Sequence, residues 1–299
     1  MVKRILGCTT QDFQNFTKQD FKQSIKAAEG RTICSEMVAP RPTIGGELTN
    51  AEIARAAGAD MMLLNALDVF HPVIWGVESG ETAIKELKHL VGRPIGCNLE
   101  PIDTTANMLE NRLEIEPGRI CTKESLERAN QLGLDFICLT GNPGTGVTNQ
   151  EIIRNIALAQ KHFNGLIIAG KMHGAGVNEP ILTKEVVEEF IKAGADVILA
   201  PAVGTIPGFT QDDLLAIVQI AHANDTLVMS AIGTSQESSS KAIIEQIAIQ
   251  NKICGVDIQH IGDAGFGGLA NIENIFTIST AIRGLRHTIN RIAISVNRN

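Results

Sequence analysis

The sequence predicts an α/β fold, a single (β/α)8 TIM barrel over residues 1–299 with an extra N-terminal helix and long βα loops. Three observations carry that expectation. Short runs rich in Val, Ile and Leu alternate with amphipathic stretches at intervals of about 30 residues, the length of one strand, one helix and two loops. A helix-ending Gly followed two residues later by Asp recurs before every second strand: Gly58–Asp60, Gly133–Asp135, Gly194–Asp196 and Gly255–Asp257. The connections after strands are long and those before them short, as in barrels that keep their chemistry on one face.

The strands read as Thr32–Val38, Asp60–Asn65, Pro94–Glu100, Asp135–Thr140, Leu166–Lys171, Asp196–Pro201, Thr226–Ala231 and Val256–Ile261. Their continuous apolar runs suit a parallel sheet buried on both faces. An open, doubly wound sheet is the rival arrangement. Before the first strand, Thr17–Ala28 reads as a helix plugging the bottom of the barrel. After the eighth, Asn271–Val296 reads as a long helix carrying Arg283, Arg286 and Arg291, with Arg298 just beyond it. Thr49-Asn-Ala-Glu52 and Thr148-Asn-Gln-Glu151 each match a capping box at a helix start. The longest loops are Ala39–Leu48, Ala66–Glu81 and Pro101–Cys121, and the third is long enough to act as a lid or to reach a neighbouring subunit.

Hydrophobic residues make up 44% and charged residues 20%, the balance of a globular protein. A net charge of −7 gives no reason to expect nucleic acid or an anionic membrane as partner. No apolar run reaches the length of a membrane span, and no signal peptide is read at the start. The six cysteines form no Cys-x-x-Cys pair, which fits a reducing, cytoplasmic setting. A homo-oligomer is expected from the loops around Trp75 and from the arginine-bearing last helix.

The strand ends carry the chemistry. Glu36 ends the first strand, Asn98 and Glu100 the third, Thr140 and Asn142 follow the fourth, and Lys171 and His173 the fifth. Gly233, Thr234 and Ser235 follow the seventh, and His260, Gly262, Asp263, Gly265 and Gly267 belong to the eighth. Ionisable groups from so many strands on one rim are costly for a purely structural protein. The glycines after strands seven and eight occupy the corner where barrels commonly hold phosphate, so a small anionic metabolite is the expected partner. Asp263 fits that corner poorly, since a carboxylate beside a phosphate must turn away, bind a metal or do chemistry.

Gly141-Asn-Pro-Gly-Thr-Gly-Val-Thr148 is similar to a P-loop, but Val147 stands where that motif needs its phosphate-binding Lys, so a nucleoside triphosphatase is not expected. Lys171 is the leading candidate for a Schiff-base nucleophile or base, and a buried lysine paired with Glu100 or Glu36 is the structural alternative. His173 and Glu100 would move protons. Glu36, Glu100, Asp263, His173 and His260 could together hold a divalent metal, although no spacing enforces it and no cofactor is required. The resulting expectation is a lyase- or aldolase-like enzyme acting on a small phosphorylated or carboxylated molecule. Metal-assisted hydrolysis on the same rim and a non-catalytic metabolite sensor are the alternatives.

The segments Glu100-Pro-Ile-Asp103, Leu139–Thr148, Ala169-Gly-Lys-Met-His-Gly-Ala-Gly176, Pro201-Ala-Val-Gly-Thr205 and Ser230-Ala-Ile-Gly-Thr-Ser-Gln236 carry a further resemblance. Over nearly its whole length the chain resembles a family of uncharacterised bacterial barrel proteins of about this size, often labelled "haloacid dehalogenase-like hydrolase". The resemblance implies the barrel and a cytoplasmic setting. The hydrolase class in that label uses an Asp-x-Asp pair, which this sequence lacks. The Lys-Cys-Gly-His type signature of phosphoenolpyruvate mutase and isocitrate lyase barrels is also absent, with Gly-Lys-Met-His in the comparable place.

Overall fold

In the computed structural model, which describes residues 2–298, eight parallel strands close into one barrel in chain order. They are β1 (Thr32–Val38), β2 (Met61–Asn65), β3 (Ile95–Leu99), β4 (Phe136–Leu139), β5 (Leu166–Gly170), β6 (Val197–Pro201), β7 (Leu227–Ile232) and β8 (Ile258–Ile261). β1 pairs with both β2 and β8, which removes any sheet edge. The helices are α1 (Thr10–Asn15), α2 (Lys18–Lys26), α3 (Asn50–Ala56), α4 (Ala83–Val91), α5 (Lys123–Leu132), α6 (Asn149–His162), α7 (Lys184–Ala193), α8 (Gln211–Ala223), α9 (Lys241–Ile253) and α10 (Ile272–Ala293). The expected strands differ from these only at their ends. The plug is α2, whose Phe21 and Ile25 pack with Phe136, Leu166, Val197 and Leu227 inside the barrel. The short helix α1 before it was not expected from the sequence.

The Gly-x-Asp echo has a physical basis. Each Asp lies just before an even strand and clamps one residue of the preceding odd strand by both of its backbone groups. Asp60 donates its N–H to the Ile33 carbonyl (2.8 Å) and accepts the Ile33 N–H on its carboxylate (2.9 Å). Asp135 does the same to Ile95, Asp196 to Ile167, and Asp257 to Val228. Each carboxylate also meets a basic side chain: Asp135 meets Lys88 (2.7 Å), Asp196 meets Lys18 (2.7 Å) and Asp257 meets His222 (2.8 Å). Asp60 meets two, Arg283 (2.6 Å) and Arg291 (2.7 Å), and all three side chains are fully buried. Burial alone would raise the Asp60 carboxyl, but the two guanidiniums and the Ile33 N–H outweigh it and hold the group below the usual range.

This pairing changes the reading of the last helix. α10 breaks at Gly284 (φ 73°, ψ 164°), a left-handed backbone that glycine adopts without strain. Beyond the break, Arg291 donates to the Cys8 carbonyl (3.0 Å), and its own carbonyl accepts from Arg93 (2.9 Å). Arg283 and Arg291 are therefore spent inside the subunit, which removes them as a reason to expect an oligomer; Arg286 and Arg298 remain exposed. One expected capping box is also only half formed. Thr148 accepts the Glu151 N–H, but the Glu151 side chain turns to Arg154, while the Thr148 hydroxyl donates to Asp103 in the long third loop.

Side chains alternate along each strand, so one set faces the barrel interior. Cys34, Leu63, Cys138 and Ile258 belong to the interior apolar cluster. The next inward position on each of those strands is polar: Glu36, Asn65, Thr140 and His260. Asn98 stands in the same layer on β3, two residues after Gly96, where a Cβ would come within 2.3 Å of the Phe136 ring. On β5, β6 and β7 the corresponding positions are Gly170, Pro201 and Ala231. The polar layer is therefore confined to the β8–β1–β2–β3–β4 side.

The clamps should differ sharply in strength. Asp60→Asn leaves two buried guanidiniums facing a neutral group and should destabilise the fold by about 3–5 kcal/mol. Asp196→Asn, whose partner Lys18 is partly exposed, should cost about 1 kcal/mol. Urea unfolding of the two variants checks this, and equal losses would contradict the ranking.

Candidate active site at the mouth of the barrel

At the C-terminal end of the strands lies a pocket of about 150 Å³. Its floor is the polar layer, with Glu36, Asn65, Asn98 and Thr140, and its walls include Asn142, His173, Gly233, Thr234, Ser235, Glu237, Gly262, Asp263 and Gly265. Clefts of about 400 Å³ open at the opposite end of the barrel. Several of their charged groups are already matched, as in His222–Asp257, Lys26–Asp225 and Lys88–Asp135, whereas the smaller pocket at the mouth gathers groups from several strand ends and is the better candidate.

Amides organise the floor. Asn98 donates to Glu36 (2.7 Å) and Asn65 (3.1 Å), and Asn65 donates to Asp263 (2.7 Å) and Asn142 (2.9 Å). Asn142 donates back to Asn65 (2.9 Å) and to Glu100 (2.7 Å). Five strand ends are thus joined by one network, which fixes every carboxylate and amide it includes. Against that order, several buried polar atoms have no partner: Asn98 Oδ1, Thr140 Oγ1, Glu237 Oε2 and both ring nitrogens of His260. Unsatisfied buried groups are costly; others lie elsewhere, at Thr32, Arg55, Arg93 and Arg291, but Asn98, Thr140 and Glu237 line this pocket, where a ligand or ordered water would complete them.

Backbone strain gathers here as well. Among the described residues, eight non-glycine residues have positive φ, and six of them lie at this end: Ala66, Ala175, Thr234, Ser235, Ala264 and Phe266. Thr234 is β-branched and held at φ 53°, a conformation kept only where surrounding structure enforces it.

The electrostatics differ from the expected phosphate site. Three carboxylates, Glu36, Glu237 and Asp263, line the pocket, and no Lys or Arg does. The amides of Gly262, Phe266 and Gly267 are already bonded to Ile232, Asp263 and Ala264, so the glycine corner has fewer free donors than the sequence implies. Gly267 does not line the pocket. The P-loop-like segment is occupied from within: the Asn142 N–H goes to Glu100 (2.8 Å) and the N-terminal amide of α6, at Asn149, to Glu179 (2.8 Å).

Lys171 is buried at the end of β5, but it does not line the pocket. Its ammonium is paired with Glu179, a partner the sequence did not suggest. Burial lowers its pKa more than Glu179 raises it. Glu100 likewise does not line the pocket; it pairs with Arg119 (2.9 Å) and accepts from Asn142 (2.7 Å). His260 belongs to the same layer but does not line the pocket, and its Nε2 is 3.4 Å from Glu36. Above these groups the third loop is strapped down: Leu109 N–H donates to Gly176 O and Leu113 N–H to Gly144 O, each at 2.8 Å, so it covers the loops after β4 and β5.

Two expected residues keep a place in the pocket with altered acidity. Burial and the nearby Glu36 raise Asp263 to about 6, despite hydrogen bonds from Asn65 and the Phe266 N–H; Glu237 adds to the rise. Burial depresses His173 below the usual histidine range, with Glu36 opposing the shift. His173 Nδ1 accepts the Ala175 N–H (3.1 Å), so the neutral ring carries its proton on Nε2 and offers it as a donor. Glu237, which the sequence reading missed, is raised by burial and by Glu36. Its only sequence signal is an acid in the run Thr234–Ser240, just past a strand end. Among the described residues no group of three His, Cys, Asp or Glu side chains is arranged to hold a metal ion. No helix there is long and apolar enough to cross a membrane.

Comparison with known proteins gives a family and a fold. The model of a family described as a domain of unknown function, DUF7916, matches residues 6–298, and the chain belongs to that family. No curated protein matches it. Among solved structures, it is similar to 2,3-dimethylmalate lyase, a member of the PEP mutase/isocitrate lyase superfamily, with 10% identity, a TM-score of 0.51, and 85% of this chain and 81% of that one covered. A thiamine phosphate pyrophosphorylase from Pyrococcus furiosus shows 12% identity and a TM-score of 0.48 over 86% of this chain and 97% of that one. At such identities the likeness is one of fold.

The raised pKa of Asp263 has a consequence for stability. Its folded pKa of about 6 lies above the ordinary 3.8, so the fold prefers the proton. Its ionised form therefore opposes folding above about pH 6, and that penalty fades as pH falls toward 4. Asp263→Asn relieves roughly 3 kcal/mol of this at neutral pH and loses about 1 kcal/mol in hydrogen bonding. The variant should unfold at a higher temperature than the parent near pH 7, with the difference shrinking toward pH 4. A variant less stable at pH 7 would contradict the assignment.

Proposed function

We propose that this member of the DUF7916 family is an enzyme of lyase-like acid–base chemistry, acting at the mouth of the barrel on a small polar metabolite. The observation that supports it most is the pairing, in one pocket, of a carboxylate poised near neutrality with a neutral imidazole donor. A base works best when its pKa lies near the working pH, and Asp263 meets that condition. A lyase on the same fold, the 2,3-dimethylmalate enzyme, makes the reaction class reasonable.

In this reading the Asp263 carboxylate takes a proton from a carbon next to a substrate carbonyl. The released electron pair moves onto the carbonyl oxygen, where His173 Nε2–H stabilises it by a hydrogen bond. The enolate then either recovers the proton from Asp263 or expels a leaving group, which departs with its electron pair. Asn65 fixes the Asp263 carboxylate, Asn98 fixes Glu36, and the strapped third loop limits water access from the β4–β5 side. Lys171 has no part in the reaction, because its ammonium faces Glu179.

Hydroxyacetone and dihydroxyacetone incubated with the protein in deuterated water should exchange carbon-bound protons faster than without it, as read by NMR. The rate should rise with pH and level off above about 6, as Asp263 ionises. Asp263→Asn should lower the exchange by about 10²–10⁴-fold and remove that rise, and His173→Phe should lower it with the rise retained. Absence of protein-dependent exchange, or exchange indifferent to Asp263→Asn, would overturn the reading.

A further inference from the structure

We infer that the natural ligand of the mouth pocket carries an ammonium group beside one or more hydroxyls, a small amino alcohol or an amino-carbonyl compound of that kind, and not a phosphate or a carboxylate. The inference rests on the same pocket as the proposed acid–base site and names the class of molecule it takes.

Charge is the first ground. Glu36, Glu237 and Asp263 belong to β1, the β7 loop and the β8 loop, and they face one pocket with no lysine or arginine among its lining residues. Each lacks an internal cation of the kind that neutralises Glu100 through Arg119 or Asp60 through Arg283. The nearest basic side chain to any of them is His260, with Nε2 3.4 Å from Glu36. A buried carboxylate with hydrogen bonds but no lysine or arginine beside it is expensive, so a group of them is best completed by a cation that arrives with the ligand.

Unpartnered acceptors are the second, independent ground. Thr140 is 2% exposed and Asn98 4% exposed; both residues line the pocket, and each has a side-chain oxygen with no hydrogen-bond partner. Glu237, 2% exposed, also lines it and leaves Oε2 unpartnered. Thr140 Oγ1 can donate or accept, Asn98 Oδ1 only accepts, and the carboxylate only accepts. An ammonium supplies three donors and a hydroxyl one donor with two acceptors, which matches that inventory. A phosphate supplies acceptors alone at a place already rich in them.

A bare metal ion matches less well. The carboxylates surround the pocket without converging, and no three ligating groups among the described residues meet as a metal set. A pocket of about 150 Å³ holds only a few non-hydrogen atoms, which keeps the ligand small.

The test uses matched pairs in which an ammonium replaces a hydroxyl: ethanolamine with ethylene glycol, and serinol with glycerol, alongside inorganic phosphate. Binding is read by NMR shifts of amide groups in and around the pocket, with His222 and Asp257 at the far end as reference. Each amine should bind at least about tenfold more tightly than its neutral partner, one charge-assisted hydrogen bond's worth of discrimination. Phosphate should leave the pocket signals unmoved. Glu237→Gln should reduce the amine preference, and Glu36→Gln, an equally isosteric change on another strand, should do the same if either variant alone folds poorly. Equal binding of amine and neutral partner, binding of phosphate at these residues, or no binding of any amine would overturn the inference. Those results leave the acid–base reading intact, since it is tested by isotope exchange and Asp263→Asn.

Discussion

Four aspartates at the bottom of the barrel hold even strands to odd ones, and the geometry of the mouth depends on that register. Each grips both backbone groups of one residue in the strand before it, at Ile33, Ile95, Ile167 and Val228. Because side chains alternate, a slip of one residue would turn every inward group outward. The same register therefore decides that Glu36, Asn65, Asn98, Thr140 and His260 all reach one layer. Asp60 is the most demanding of the four, since Arg283 and Arg291 exist in the interior only by virtue of its charge. The break at Gly284 lets one helix deliver both arginines to it.

At the opposite end, the molecule tolerates arrangements that a purely structural barrel would avoid. Asp263 is held away from its preferred ionised state, Glu237 and Thr140 keep unpartnered oxygens, and six non-glycine residues carry left-handed backbone. Local strain and unsatisfied polarity of this kind persist where the surrounding structure over-determines them and function uses them. The asymmetry of the polar layer reinforces the point. Gly170, Pro201 and Ala231 leave the β5–β7 side bland, while β8 through β4 concentrate the chemistry.

Much of this was legible in the sequence because it is written in local patterns. Apolar runs, helix-ending glycines and loop lengths located all eight strands to within two residues. The Gly-x-Asp echo was visible, though its cause was not, because a side chain reaching the preceding strand is a tertiary contact. Position along the strands alone pointed to Glu36, Asn98, Thr140, Asn142, His173, Gly233 and Asp263, which line the pocket at the mouth. What the sequence hides is the pairing of charges. Lys171 looks reactive until Glu179, eight residues on, is seen to hold it, and Glu100 looks free until Arg119 meets it. Nor does the sequence reveal that Glu237 and Asp263 line the same space as the glycines after β7 and β8.

The central claim is that the mouth is an acidic pocket whose Asp263 carboxyl is poised near neutrality. Carbon-13 NMR of labelled aspartate side chains, with the Asp263→Asn spectrum identifying the resonance, measures this directly in the ligand-free protein. The account predicts a titration midpoint of about 6 for Asp263. A midpoint in the ordinary aspartate range, near 4, would contradict it.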